Sequence, residues 1–176
     1  MPQKITLDEV NDLSREEFVA KFGSLYEHSP WVAEGASEDR PFGSLPEMHG
    51  AFRQALRKAP QEHQLALIKA HPDLAGKAAM AGDLTPESAR EQSSVGLDRL
   101  SQEEYEFFTT LNNAYKEKFD FPMIFAVREH TKDSILESAE ARLGNSREEE
   151  VERALEEINK IARYRLEETI EEGERK

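Results

Sequence analysis

A Ser or Thr followed three residues later by Glu recurs along this chain, and five of these places read as helix starts: TLDE (6–9), SREE (14–17), SLPE (44–47), SQEE (101–104) and SREE (146–149). That spacing is the capping box. The hydroxyl accepts a bond from an otherwise unpaired amide of the first helical turn, and the Glu reaches back to the cap's own N–H. In SLPE the proline falls in that first turn, where its missing N–H is tolerated. TPES offers the related arrangement, with Thr85 as cap and Pro86 at the first helical position. A chain punctuated in this way is committed to helices.

The apolar spacing agrees. In 101–119, Tyr105, Phe108, Leu111, Asn112, Tyr115 and Phe119 recur at steps of three and four residues. In 151–170, Val151, Leu155, Ile158, Ala162, Leu166 and Ile170 form a second stripe, widened by Ile161. Each predicts a helix with one buried face. Gly144 in RLGNS marks a helix stop followed directly by a new cap, so the last two helices are expected to form an antiparallel hairpin. Two stretches escape the pattern. Residues 27–44 are broken by Pro and Gly and read partly as loop, and FDFPMIFAVREH (119–130) is an apolar run interrupted by Pro122, either strand or buried irregular chain. The expectation is an all-α, single-domain helical bundle covering residues 1–176.

A chain of 176 residues can bury a full core without staples. It contains no cysteine, which removes disulfides, thiol nucleophiles and Cys-based metal sites from consideration. The net charge of −13 argues against general nucleic-acid binding, which needs clustered Lys and Arg. Much of the acidic excess lies in SREEEVERALEEINK and LEETIEEGERK, read as a solvated helix face. No apolar run is long enough to cross a membrane, and MPQKITLDEV lacks the apolar core of a signal peptide. These features fit a cytoplasmic protein.

Three elements carry possible chemistry. His71 follows the apolar LALIKA where Pro72 ends the helix, which puts an imidazole at a rigid terminus. With a reference pKa of ~6.5, imidazole exchanges protons near neutrality; a structural histidine capping carbonyls is the plainer alternative. On a helix begun at Thr85, Ser88, Glu91 and Gln92 share one face, and Val95 continues it inward. Buried polar groups need partners, and a small molecule rich in amides would supply them, although a solvated polar face has the same composition. Arg128 follows MIFAV, so its guanidinium emerges from an apolar floor, where it could meet a carboxylate or pair with Glu91. His49 and His63 read as exposed, and His28 as a partner of Trp31. No HExxH pair, GxGxxG or P-loop occurs, so neither metal nor nucleotide is implied.

Taken together, EHSPWVAE, HPDLAGK, LTPESAREQSSVGL, LNNAYKEKFDFPMIFAVREHT and ALEEINKIARYRL resemble the 2-oxo-4-hydroxy-4-carboxy-5-ureidoimidazoline (OHCU) decarboxylase family, which completes the route from urate to allantoin. The combination of HPDLAG with a downstream SxxEQ and FPxxxxxR is specific; each piece alone is weak. The resemblance implies a helical bundle, a homodimer, and catalysis without metal or organic cofactor. It assigns His71 as the catalytic acid/base, with Glu91 and Arg128 as further active-site groups. Around the substrate it puts Pro72, the turn of Ser88, Ala89, Arg90, Glu91 and Gln92, and the backbone of Met123, Ile124, Phe125, Ala126 and Val127. Met123 departs from the family, which usually has an aromatic residue after Phe-Pro. A noncatalytic ureide-binding or interaction module, and a hydrolase that uses His71 to activate water, are the competing readings.

Overall fold

The computed structural model describes residues 4–26, 29–71, 86–97 and 99–171, and of residues 86–88 the backbone alone. Among these residues lie nine α-helices: α1 (Leu7–Asp12), α2 (Arg15–Phe22), α3 (Trp31–Ser37), α4 (Leu45–Lys58), α5 (Gln61–Ala70), α6 (Pro86–Ser94), α7 (Gln102–Phe119), α8 (Lys132–Arg142) and α9 (Arg147–Thr169). Two 3-10 turns, Gly23–Leu25 and Val127–Glu129, complete the helical inventory. The helical expectation holds, apart from a ladder of two short parallel strands, β1 (Ile5–Thr6) and β2 (Ile170–Glu171), with Ile5 opposite Ile170. Among the described residues no helix is long and apolar enough to cross a membrane, and no three His, Asp or Glu side chains gather as metal ligands.

The capping arithmetic holds at each of the five starts. Thr6, Ser14 and Ser101 make full capping boxes with Glu9, Glu17 and Glu104. Ser146 exchanges the same two bonds with Glu149, at 2.9 and 3.1 Å. Ser44 accepts from Glu47 N–H, but the Glu47 carboxylate bonds Gly43 N–H instead, one residue further back. A sixth box, Thr131 with Ser134, starts α8 with Ser in place of Glu. Helix α6 begins at Pro86 as expected; its proposed cap, Thr85, lies outside the described residues, as does His28.

The chain divides into two compact units, residues 1–67 with 159–176 and residues 68–158. The first has an aromatic centre: the Tyr26 and Phe52 rings stack with centroids 6.0 Å apart, and Phe18 lies 5.9 Å from Phe52. Helix α3 packs on α2 and α4, and a Cβ at Gly35 would lie 3.0 Å from Ala55 Cβ, a tight contact that glycine avoids. Buried polar groups attach residues 159–165 of α9 to the same unit. Tyr26 Oη donates to Asn159 Oδ1 at 2.7 Å, and Arg165 donates to the Leu25 carbonyl at 3.1 Å. The expected exposure of His49 needs correction: it is half-buried, and Nε2 meets the Asn159 carbonyl at 2.8 Å. His63 is exposed, against the Trp31 ring.

The second unit is built on the α7 stripe. Phe108, Leu111, Asn112, Tyr115 and Phe119 are buried as spaced, and Tyr105 is half-buried. Asp120, at φ 64°, adopts the left-handed conformation that ends the helix. The chain then runs through buried, irregular residues Phe121–Ala126, which resolves the strand-or-irregular alternative in favour of irregular chain. The expected stop near Gly144 is a turn at residues 143–146 between α8 and α9. The solvated acidic face of α9 needs a second correction. Glu148, Glu149, Glu152 and Glu156 are exposed, but Glu150 and Glu157 are 0 % exposed.

Candidate active site

The candidate groups that lie among the described residues all fall in the second unit, on three pieces of chain. Helix α5 ends at Ala70, one residue before His71, whose N–H closes the last turn on the Ile68 carbonyl at 3.2 Å. The imidazole is buried, at 8 % exposure. Pro72 lies outside the described residues.

Helix α6 carries the polar face. Gln92 is 4 % exposed and Glu91 half-buried, while Ala89 is half-buried and Arg90 exposed. The Ser88 side chain is not among those described. The helix stops by local chemistry written in SVGL. Gly96 sits at φ 80°, Leu97 N–H reaches back to the Gln92 carbonyl at 2.9 Å, and Gly96 N–H to that of Ser93 at 3.0 Å. This pattern needs a left-handed residue, hence glycine, and ends on a buried Leu97. Val95, expected to extend the inward face, sits half-buried in the turn. Helix α6 packs against the turn Val127–Glu129, so the Glu91–Gln92 element and the Arg128 element are neighbours. Arg128 itself is exposed.

The apolar floor before that turn is held by ionic groups. Met123, Ile124, Phe125, Ala126 and Val127 are all buried. Arg142, at the end of α8, donates through Nη1 to the Ile124 carbonyl at 2.7 Å and lies over the Phe125 ring, 4.7 Å from its centroid. Its Nε meets Glu150 Oε1 at 2.8 Å. The same oxygen accepts from Tyr115 Oη at 2.5 Å, and Asn145 donates to Glu150 Oε2 at 2.8 Å. Burial, and then the carboxylate of Glu150, push the Tyr115 hydroxyl well above its usual range, with Arg142 opposing, so it stays a donor. One residue pair further on, Glu157 Oε1 accepts the N–H of Ala126 at 3.1 Å, with Arg153 3.5 Å from its other oxygen. The Ala126 and Val127 carbonyls accept from Glu129 and His130. A backbone N–H of this stretch was expected to face the heterocycle; that of Ala126 is already committed to Glu157.

Residues 11–167 match the family described as OHCU decarboxylase. A 2-oxo-4-hydroxy-4-carboxy-5-ureidoimidazoline decarboxylase of Haloferax volcanii is 44% identical over 163 residues, covering 93% of this chain and 95% of that one. The chain belongs to the OHCU decarboxylase family. The crystal structure of an (S)-allantoin synthase superposes with a TM-score of 0.75 at 29% identity, over 94% of this chain and 54% of that chain. A second, that of an OHCU decarboxylase in the presence of (S)-allantoin, shares the fold with a TM-score of 0.62 at 21% identity, over 78% of this chain and 88% of that one.

The OHCU decarboxylase match spans His71, Glu91, Gln92 and Arg128, and it also spans Arg142, on which the sequence analysis is silent, and Glu150 and Glu157, which lie in the stretch expected to be a solvated face. A signal for the two glutamates was present. Glu150, Ala154, Glu157 and Ile161 follow one another at steps of four, three and four, on the buried side of α9 rather than opposite it.

Proposed function

We propose that this chain catalyses the cofactor-independent decarboxylation of OHCU to (S)-allantoin, residues 1–176 acting as one catalytic domain. Membership of the OHCU decarboxylase family carries the reading. The neighbouring α6 and Arg128 elements, beside a buried floor, support it locally.

OHCU bears its carboxylate on a carbon that also carries a hydroxyl and adjoins a ring C=N. When the C–CO2 bond breaks, its electron pair forms a C=C bond and the displaced C=N pair moves to nitrogen, which takes up a proton. The substrate thus contains the electron sink that pyridoxal phosphate or thiamine supplies elsewhere. The resulting enol gives up its hydroxyl proton and gains one at the ureido-bearing carbon, which fixes the stereocentre. The protein's work is to orient the carboxylate, stabilise the migrating charge and hold one face of the ring toward the proton donor.

In this reading His71 bonds the hydroxyl or carboxylate region and handles the proton. Glu91 and Gln92 grip the ureido and ring N–H groups, and Arg128 orients Glu91 or meets a ring oxygen. Pro72, Ser88, Ala89, Arg90 and the backbone from Met123 to Val127 complete the enclosure. The same reading makes the protein a cytoplasmic homodimer, in keeping with the cysteine-free composition and with the family resemblance.

Circular dichroism of OHCU, freshly generated from urate by urate oxidase and hydroxyisourate hydrolase, tests the assignment. Adding the protein should accelerate loss of OHCU and leave the persistent signal of one allantoin enantiomer. Decay at the spontaneous rate to racemic product, from folded protein, would overturn it.

A further inference from the structure

Two buried charged side chains hold alternate residues of the floor. Arg142 binds the carbonyl of Ile124 and Glu157 binds the N–H of Ala126, at 2.7 and 3.1 Å. The residue between them, Phe125, has its ring fixed on two sides, by the Arg142 guanidinium and by the His130 ring, edge-on at 5.1 Å. In a planar trans peptide the C=O of one residue and the N–H of the next point in opposite directions. Anchoring the Ile124 carbonyl on Arg142 therefore turns the Phe125 N–H away from Arg142, and anchoring the Ala126 N–H on Glu157 turns the Phe125 C=O away from Glu157.

Resting on the reading under Proposed function, we propose that Arg142 and Glu157 are positioning residues, and that the backbone pair they aim is that of Phe125. One N–H and one C=O on the same residue match the ring edge of a cyclic urea or lactam, in which an N–H adjoins a C=O. The heterocycles of OHCU and allantoin carry such an edge. Two parallel bonds read it without any side chain, which explains how Met123 can replace an aromatic residue in the floor without loss of recognition. The charges lie beneath the floor and not in the ligand's own contacts. Arg142 is itself held by Glu150, which Tyr115 and Asn145 also bond, so the floor is anchored to α7, α8 and α9 together.

The test uses the full chain and three variants: Arg142→Lys, Glu157→Leu and Glu157→Gln. Each is checked for a cooperative thermal melt, then assayed for kcat and KM with OHCU and for allantoin affinity by calorimetry. Arg142→Lys and Glu157→Leu should raise KM, and the Kd for allantoin, about ten-fold with a smaller change in kcat per folded molecule, the signature of lost ground-state binding. Glu157→Gln keeps an oxygen that can accept the Ala126 N–H, and should recover most of the affinity lost in Glu157→Leu. A purely structural role would lower the melting temperature and the folded fraction while leaving KM and Kd alone. That result would overturn the proposal, as would equal losses in Glu157→Gln and Glu157→Leu. Should Glu157→Leu fail to fold, folded Arg142→Lys with wild-type KM and Kd overturns it equally. Wild-type protein that neither turns over OHCU nor binds allantoin would instead refute the underlying functional reading.

Discussion

Arg142 Nε lies 2.8 Å from Glu150 Oε1, with both side chains buried. A buried pair of this kind is not a large net source of stability, because two desolvation penalties offset the attraction; removing one partner is what costs. Glu150→Ala should therefore destabilise the fold by about 3–5 kcal/mol, leaving Arg142 charged and Tyr115 without its acceptor. Urea unfolding monitored by circular dichroism measures this directly. A loss below about 1 kcal/mol, the range of exposed pairs, would contradict the buried geometry.

His71→Asn addresses the chemistry. The substitution preserves polarity and approximate volume at the end of α5, so the melting temperature should stay near that of the wild type. Turnover should fall at least ~100-fold, the lower end of what general acid–base catalysis supplies. Near-normal turnover by the folded variant would remove His71 from the mechanism.

The Nε2 of His49 faces a carbonyl, that of Asn159, and must carry a hydrogen to bond it. Burial lowers the pKa of this imidazole; the Asn159 bond opposes the shift, Arg53 and Arg163 reinforce it, and Glu167 works against it. A histidine with a lowered folded pKa binds its proton more readily when unfolded. Its contribution is thus complete above the unfolded value of ~6.5 and is lost as pH falls below that value toward the folded pKa. Thermal stability should decline on acidification through this window, and His49→Gln should flatten the decline. A melting profile with equal slope in both proteins would show that His49 is not the responsible group.

Ser101→Ala removes the hydroxyl that accepts Glu104 N–H at 3.1 Å at the start of α7. The expected cost is ~1 kcal/mol, the usual value for losing an N-cap oxygen. The backbone N–H of Ser101, and then Lys132, hold the Glu104 carboxyl below its ordinary range, so this cap also weakens as acid protonates it. Chemical denaturation of the variant at neutral pH and near pH 4 measures both effects. Both proteins should lose stability at the lower pH, and the difference between them should persist.

Helix starts were legible because their chemistry is local: hydroxyl, amide and carboxylate all lie within four residues of one another. The apolar stripes of α7 and α9 were legible for a similar reason, since period alone fixes a face. Glu150 and Glu157 were not, because the partners that make their burial tolerable stand elsewhere in the chain, on Arg142, Tyr115 and Ala126. A charged residue on a buried face reads as an error until its counter-charge is found. His49 was misread likewise, its acceptor being 110 residues away. The site was legible through the family resemblance; its supporting charges became visible only in three dimensions.

The first unit is closed by residues from both ends of the sequence, with Ile5 paired to Ile170, whereas residues 68–158 form the second without interruption. On the ribosome these two arrangements have different timetables. The continuous stretch can assemble while translation proceeds, but the unit begun by β1 must wait until β2 has been synthesised and has left the exit tunnel. During that interval the aromatic surfaces around Phe18 and Phe52 lack the contribution of residues 159–171. Chaperone demand for this chain should therefore fall on its earliest-made residues, not its latest.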